Sequence, residues 1–225
     1  MPIKIQSDLP AKGILENENI FVMTEHRAMH QDIRPLRVLI LNLMPTKIVT
    51  ETQLLRKLSN TPLQIEVEFL KTASYIPQHT DPTHLDTFYT TFDEIKERRY
   101  DGMIITGAPL DYIEFEDVTY WNEVCRIMDW CKSHVHCTLH LCWAAFAGLH
   151  YYYGIPKVDY EKKLSGVYEH TVVKKNSPFF RGFDDVFYAP QSRAMGMRRE
   201  DIEAIDELEL MAISEEAGVT IVKTK

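Results

Sequence analysis

Cys142 is the residue whose type and position point most directly to chemistry. It lies in CTLHLCWAAFAGL, residues 137–149, where a strand-like apolar stretch changes to small and aromatic residues. A cysteine between the end of a strand and the start of a helix is close to backbone amides with partial positive charge, which favour the nucleophilic thiolate. The small Ala144 and Ala145 leave room for a substrate, and amides of the turn can hold a developing oxyanion. On position alone, a buried structural thiol is an equal alternative.

The other cysteines, Cys125, Cys131 and Cys137, form no C-x-x-C pair with each other or with Cys142. In a reducing cytosol we expect all of them to remain thiols. Three histidines lie close by: His134, His136 and His140. Alternate residues of a strand share one face instead of converging on a tetrahedral ion, so we expect no zinc site and no other bound metal.

Strands alternating with helices are predicted to position Cys142. RVLILNLMP, residues 37–45, is a continuous apolar run typical of a strand covered on both faces in a parallel sheet. A helix is predicted to begin at a Thr50 cap and to end near Asn60. QIEVEFL, residues 64–70, alternates like a strand nearer an edge, and YDGMIITGAP, residues 100–109, reads as a buried strand stopped by glycine and proline.

The pattern continues through the second half of the chain. A helix is predicted from Glu116 to His134, with Cys125 and Cys131 at core spacing, followed by a central strand at HCTLHLC and a helix closed by Gly154. Further strands are predicted at DDVFYAP, LELMAIS and VTIVKT, with a short helix between Glu200 and Ile205. This order indicates an α/β fold with an open, mostly parallel sheet, in which ligands bind beyond the carboxyl ends of the strands.

Composition excludes several classes of function. The chain has 225 residues with 45% apolar residues, enough for one full core, and its net charge of -8 argues against a general nucleic-acid binder. No apolar stretch reaches the ~20 residues of a membrane span, and residues 1–7 lack a signal-peptide core. We therefore expect a cytoplasmic protein with an N-terminal arm at residues 1–34, which shows no periodic pattern, and an α/β domain at residues 35–225.

Several long motifs resemble the homoserine O-acyltransferases of methionine biosynthesis. They are IRPLRVLILNLMP, ETQLLRKLSNTPLQ, DGMIITGAPLDYIEFEDVTYW, CWAA, YGIPK, KLSGVYEH and RGFDD, and they span essentially the whole chain. The resemblance implies a flavodoxin-like fold related to class I glutamine amidotransferases, and a ping-pong reaction. In that reaction Cys142 takes an acyl group from acyl-coenzyme A and passes it to the hydroxyl of homoserine. It also implies a homodimer, small-molecule substrates only and no bound cofactor.

Motif matching to this family implies further site residues. Lys163 in KKLSGVYEH and Ser192 in APQSR match positions of amino-acid substrate binding, with Arg193 beside them. Lys47, just past the first apolar strand, matches a lysine near the acyl-donor pocket. Each has an ordinary alternative, because an exposed lysine is usually only solvated and Ser192 with Arg193 could merely shape a loop.

Asp111 in GAPLDYIEF is the position that bears on the acyl donor. In the family a glycine here accompanies succinyl transfer and a glutamate accompanies acetyl transfer, and aspartate is neither. A carboxylate repels the free carboxylate of a succinyl group but has no charge to repel in an acetyl group. We therefore expect acetyl-coenzyme A as co-substrate, with succinyl transfer as the alternative.

The sequence also departs from the family. The general-base histidine and its glutamate lie in an HPE-containing segment beyond VTIVKTK, so the resemblance implies a chain truncated at its C-terminus: a fragment, an incomplete sequence or a degenerate protein. Phe146 stands where glutamine is usual, and Gln191 where histidine is usual. Amidotransfer or hydrolysis remains an alternative, although glycines do not flank Cys142. A remnant that only binds ligand is another.

Overall fold

The computed structural model describes residues 3–6, 8–18, 20, 22–24, 34–75 and 80–225. Within it the chain forms two compact units. The first consists of Met1–Pro109 with Glu114–Ala145, and the second of Leu110–Ile113 with Phe146–Lys225.

Seven parallel strands form the sheet of the first unit, in the order β2-β1-β4-β3-β6-β7 with β5 beside β4. Their bounds are Ile3–Ile5 (β1), Val22–Thr24 (β2), Leu36–Leu41 (β3), Ile65–Leu70 (β4), Tyr89–Thr90 (β5), Tyr100–Ile105 (β6) and Val135–His140 (β7). The predicted mostly parallel α/β sheet is confirmed.

Helices connect these strands, as parallel pairing requires. They are Ala11–Asn17 (α1), Lys47–Leu58 (α2), Pro82–Phe88 (α3), Phe92–Ile95 (α4) and Trp121–His134 (α5). A further helix, Trp143–Tyr153 (α6), follows β7 and continues into the second unit. The prediction that Thr50 caps α2 is wrong. The helix already begins at Lys47, and the Thr50 hydroxyl donates to the Thr46 carbonyl at 3.0 Å from inside the first turn.

The core of the first unit centres on β3. Leu39, Ile40 and Leu41 are each 0% exposed, which is why this strand is a continuous apolar run. Ile40 packs in one cluster with Leu55 of α2 and other buried side chains. Each fully buried aliphatic side chain contributes roughly 1.5–3 kcal/mol relative to exposure. These contacts hold in place the carboxyl end of β3, from which the loop to α2 begins.

The prediction that residues 64–70 form a strand near an edge is wrong. β4 lies inside the sheet, paired with β1 and β5 on one side and with β3 on the other. Its alternating glutamates accept hydrogen bonds from residues of two other strands of the sheet, β1 and β6. Glu66 accepts from Lys4 Nζ at 2.8 Å, and Glu68 accepts from Tyr100 Oη at 2.6 Å. The polar half of the pattern therefore reflects ion pairing and hydrogen bonding, not an edge.

Two expectations around Cys142 also need correction. Helix α5 begins at Trp121 instead of Glu116, because the chain first forms a short 3-10 turn, Phe115–Asp117, and then extends at Val118. Strand β7 is not central in the described part of the chain, where it pairs only with β6. The burial of Cys125 and Cys131 in α5 is confirmed.

The second unit has an antiparallel sheet in the order β11-β10-β8-β9. Its elements are Val158–Val172 (β8), Val186–Gly196 (β9), Arg199–Glu203 (α7), Leu208–Ser214 (β10) and Gly218–Thr224 (β11). The three later predicted strands and the short helix are present. However, the strands pair in this separate sheet, and β8 went unpredicted because its sequence is too polar to show a buried face.

Residues 1–34, predicted to be an N-terminal arm, contribute β1 and β2 to the parallel sheet, where Ile3 pairs with Ile65 of β4. Residues 25–33 of that segment lie outside the described residues. Among the described residues, no helix has the length and apolar character needed to cross a membrane.

Gly196 provides a test of the β8–β9 register, in which it pairs with Val158. A Cβ at Gly196 would lie 2.0 Å from Tyr160 Oη and 2.6 Å from its Cζ. Gly196→Ala should therefore cost about 1–3 kcal/mol of unfolding free energy, measured by urea denaturation. In contrast, Gly13→Ala meets no atom within 4 Å in helix α1 and should stabilise by up to about 1 kcal/mol. Wild-type stability of Gly196→Ala would contradict this register.

Candidate active site

Cys142 occupies a strained turn between β7 and α6. Its φ is 52°, the left-handed region that side chains other than glycine rarely adopt. The residue is exposed, so the alternative of a buried structural thiol is wrong for this cysteine. A nucleophile on a sharp strand-to-helix turn presents its side chain above the edge of the sheet. Strain of this kind is typical of reactive sites.

Gly107, two residues past the end of β6, makes space for this turn. A Cβ at Gly107 would lie 3.0 Å from the Cβ of Cys142 and 3.5 Å from its Sγ. The Leu141 amide donates to the Ile105 carbonyl at 2.9 Å, which keeps the two strand ends adjacent. Glycine at 107 therefore lets the cysteine lie directly against the neighbouring strand end.

Aromatic packing anchors the residue after the cysteine. Trp143 is 0% exposed, and its ring centroid lies 5.9 Å from that of Phe115, 6.4 Å from that of Tyr120 and 6.5 Å from that of Trp121. All four residues belong to the first unit. Such clusters contribute more than their buried area alone. The amino end of α6 is thereby fixed next to Cys142.

Hydrogen bonds close the turn itself. The amides of Ala144 and Ala145 donate to the carbonyls of Leu141 and Cys142, at 3.1 and 2.9 Å. His140 Nδ1 lies 3.3 Å from the Ala144 carbonyl, which can only accept. Burial lowers the pKa of His140, with the Ala144 carbonyl opposing the shift, so its imidazole is neutral at pH 7. His140 thus supports the turn from the strand that precedes it.

Lys47 lies at the first position of α2, and it is buried. The alternative of an exposed, solvated lysine is wrong, since only 5% of its surface is exposed. Its Nζ donates to the Asn42 carbonyl. Burial lowers the pKa of Lys47 to about 8, and the Glu51 carboxylate opposes that shift. Glu51 was not among the residues predicted from the sequence, although its i, i+4 spacing from Lys47 indicates that both lie on one helix face.

Lys163 and Ser192 lie on adjacent strands of the second unit, and both are exposed. The β8–β9 ladder pairs Asp159 with Met195, then shifts register and resumes where Leu164 pairs with Arg193 and Ser165 with Ser192. Lys163 falls in this irregular segment, where β8 has more residues than its partner strand. Bulges of this kind redirect side chains near functional sites.

Arg193 is held inside the second unit. It is 7% exposed, and its Nη2 donates to the carbonyl of Ala217 and, at 3.2 Å, to that of Val219. Its guanidinium carbon lies 5.7 Å from the ring centroid of Phe146, one of the two departures from the family. These contacts show a structural use of the guanidinium, and substrate binding by Arg193 stays a prediction.

The other departure and the donor position lie in the same unit. Gln191 Nε2 lies 3.1 Å from Nε2 of the buried His170. At Asp111, the backbone carbonyl accepts from Lys157 Nζ at 3.4 Å. The Asp111 side chain is half-buried, and its role in the choice of acyl donor stays a prediction.

The predicted residues thus fall into two groups. Cys142 and Lys47 belong to the first unit, where both follow carboxyl ends of parallel strands. The second group, Asp111, Lys163, Ser192 and Arg193, belongs to the second unit. Within the described ranges, no set of three His, Cys, Asp or Glu side chains is arranged to hold a metal ion.

Comparison with known proteins decides the family. The family profile named homoserine O-succinyltransferase matches residues 2–225. The chain belongs to this homoserine O-succinyltransferase family. Its relatives include proteins named homoserine O-acetyltransferase from Acetivibrio thermocellus, 55% identical over 100% of this chain and 74% of the relative, and from Lachnoclostridium phytofermentans, 58% identical over 99% and 74%. A third, from Thermotoga neapolitana, is 57% identical over 100% and 74%.

Solved structures confirm the expected fold of this family member. A protein described as a GMP synthase subunit, from Thermoplasma acidophilum, gives a TM-score of 0.56 at 15% identity, covering 86% of this chain and 80% of its own. A glutamine amidotransferase from Thermotoga maritima gives 0.52 at 13% identity, covering 85% and 73%. At these identities the likeness shows the amidotransferase-like fold alone.

Because the backbone of Cys142 is left-handed, we expect glycine to be more stabilising than alanine at this position, the reverse of their usual order. Cys142→Gly should be more stable than Cys142→Ala by about 0.5 kcal/mol, because relief of the left-handed strain slightly exceeds the entropy cost of glycine. Cys137, also exposed but within β7, is the matched control. There glycine should be less stable than alanine by about 0.5–1 kcal/mol. Urea denaturation of the four variants measures both differences, and the same sign at the two positions would refute the strained turn.

Proposed function

We propose that this chain is a homoserine O-acetyltransferase of methionine biosynthesis that works through an acyl-enzyme on Cys142. The single observation that carries the mechanism is an exposed cysteine with φ of 52° at a strand-to-helix turn. The names of relatives at 54–58% identity support the acetyl donor and the homoserine acceptor. Acetyl-coenzyme A is a co-substrate in this proposal, and no cofactor is needed.

The first half-reaction forms the acyl-enzyme. The Cys142 thiolate attacks the thioester carbonyl, a new S–C bond forms, the C–S bond to coenzyme A breaks, and coenzyme A leaves as a thiolate. The negative charge that develops on the carbonyl oxygen is stabilised by a hydrogen-bond donor held in a fixed position. The amide of Trp143, directly after the nucleophile and anchored by buried aromatic rings, is suited to that role.

The second half-reaction transfers the acetyl group. The homoserine hydroxyl attacks the acyl-cysteine carbonyl, the O–C bond forms, and the Cys142 thiolate leaves. A base must take the hydroxyl proton, a step that typically contributes about 10²- to 10⁴-fold. We assign this base to none of the nine histidines of the sequence. Lys163 and Ser192, on adjacent strands and exposed, are our candidates for binding the amino acid.

We keep the homodimer and the cytoplasmic location as parts of this proposal that rest on the family resemblance. Succinyl transfer on the same site is the second candidate, because the family profile itself carries that name. The carboxylate of Asp111 opposes it, because a negative charge at this position repels the free carboxylate of a succinyl group.

The first half-reaction predicts a covalent product that needs no acceptor. Incubation with acetyl-coenzyme A should add one acetyl mass, which peptide mass spectrometry places on Cys142. Cys142→Ala should abolish the label, whereas Cys137→Ala should retain it because that thiol lies within β7. An acetyl group on Cys137, or no label on wild-type protein, would refute the proposed nucleophile.

Donor preference should depend on the charge at Asp111. Asp111→Gly should raise the ratio of succinyl to acetyl labelling by about tenfold or more, because loss of the carboxylate removes repulsion of the succinyl group. Asp111→Glu keeps the charge and should keep the acetyl preference. The measurement is the rate of Cys142 labelling with each acyl-coenzyme A. Succinyl preference in the unmutated protein would overturn the donor assignment.

A further inference from the structure

Five polar side chains are buried together where β3 ends and α2 begins. They are Asn42, Lys47, Glu51, His84 and Tyr89, with exposures of 1, 5, 0, 8 and 7%. We call them the buried polar cluster. Burying charged groups is costly unless they are paired and hydrogen-bonded, so this arrangement requires a reason.

Glu51 is the acceptor at the centre of the cluster. Tyr89 Oη donates to Glu51 Oε1 at 2.5 Å. His84 Nε2 lies 3.0 and 3.2 Å from the two carboxylate oxygens, so this ring nitrogen is the donor. Tyr89 Oη in turn accepts from Asn42 Nδ2 at 2.8 Å. Two donors from other elements therefore hold the Glu51 carboxylate in one place.

Lys47 lies one helical turn before Glu51 on α2, so the two buried side chains share one face of the helix. Its ammonium has three hydrogens to donate, and its hydrogen-bond acceptor is the Asn42 carbonyl. Its Nζ also lies 5.8 Å from the ring centroid of Tyr89. The other titratable groups that face it are Glu51 on its own helix, His84 on α3 and Tyr89 on β5. Among these described groups, the Glu51 carboxylate is the one that favours the charged form of Lys47.

The cluster is linked through the backbone to the turn of Cys142. The Leu43 amide donates to Thr106 Oγ1 at 2.7 Å, and the Thr106 amide donates to the Leu41 carbonyl at 3.0 Å. The next residue, Gly107, is the one that lies against Cys142. The buried lysine follows β3 and the exposed cysteine follows β7, and the end of β6 lies between these two strand ends at one edge of the sheet.

We propose that Glu51 is a positioning residue for Lys47: its carboxylate, fixed by Tyr89 and His84, keeps the Lys47 ammonium charged and in place at the edge of the sheet that carries Cys142. The use of that charge by the acyl donor rests on the proposed function. The charge coupling between Glu51 and Lys47 does not.

The coupling is tested by titration of Lys47 itself. NMR of protein labelled with [13C]lysine follows the Lys47 Cε signal against pH, with Lys47→Arg identifying the signal. Glu51→Gln keeps the size of the side chain and should lower the midpoint by about one pH unit or more. Glu68→Gln is the matched control, because Glu68 also accepts from a tyrosine, Tyr100, but pairs with Arg98 instead of Lys47. It should leave the midpoint unchanged. An unchanged midpoint in Glu51→Gln overturns the proposal.

Thermal unfolding at pH 7 keeps the proposal testable if a single variant folds poorly. Glu51→Gln should lower the melting temperature by several degrees, because it leaves the buried ammonium of Lys47 without its compensating charge. The same substitution should cost clearly less in a Lys47→Met background, where that ammonium is absent. An equal cost in both backgrounds would show that the two side chains are independent, and the proposal would fail.

The consequence for catalysis has a separate readout. Acetyl labelling of Cys142 should be about fivefold or more slower in Glu51→Gln at pH 8, and its rate relative to wild type should recover as the pH falls and Lys47 regains its proton. A purely structural role would give a constant ratio, which would overturn the catalytic consequence. If wild type takes no label, the proposed function fails, while the NMR titration still decides the coupling.

Discussion

The close approach of two neighbouring strand ends is the constraint on which the site depends. Parallel strands deliver their carboxyl ends to one edge, and there the backbone of Gly107 comes so near Cys142 that an added Cβ would lie 3.0 Å from the cysteine Cβ. Only glycine fits this contact without a shift of neighbouring atoms. The left-handed backbone of Cys142 and the buried Trp143 then fix the direction in which the thiol leaves the sheet.

The buried polar cluster is hard to explain by stability alone. Replacing buried charged groups with well-packed apolar residues is often neutral or stabilising, so Lys47 and Glu51 are poor choices if only the stability of the core matters. The buried polar cluster does, however, fix the positions of its side chains. Tyr89 and His84 come from separate elements, and their hydrogen bonds give the Glu51 carboxylate a single position. A charge held this way needs little rearrangement when a ligand arrives.

The sequence predicted those parts of the fold whose signal is local. β3 and β6 are apolar because both faces are buried, and Cys142 lies where periodicity changes from strand to helix. The position of β4 inside the sheet was not predictable, because its glutamates are paired by Lys4, Arg98 and Tyr100, residues distant in sequence. Antiparallel pairing in the second unit also depends on long-range contacts that no local pattern records.

The same reason limited prediction of the site. His84 and Tyr89 meet Glu51 across 33 and 38 positions of the chain, and each side chain alone reads as an ordinary surface residue. Family resemblance pointed to Lys47 but gave no account of its burial. The pairing of Lys163 and Ser192 on adjacent strands likewise became visible only with the register of β8 and β9.

The burial of Lys47 has a thermodynamic consequence through proton linkage. Its pKa falls from the ordinary 10.5 to about 8 on folding, so between these values the unfolded chain binds more protons than the native one. Stability contributed by this group therefore rises with pH across that window. In mildly alkaline solution Lys47 loses its proton, and the native state becomes more stable relative to the unfolded chain. At neutral pH, where Lys47 is charged, this group therefore contributes less to the free energy of unfolding than it does above about pH 8.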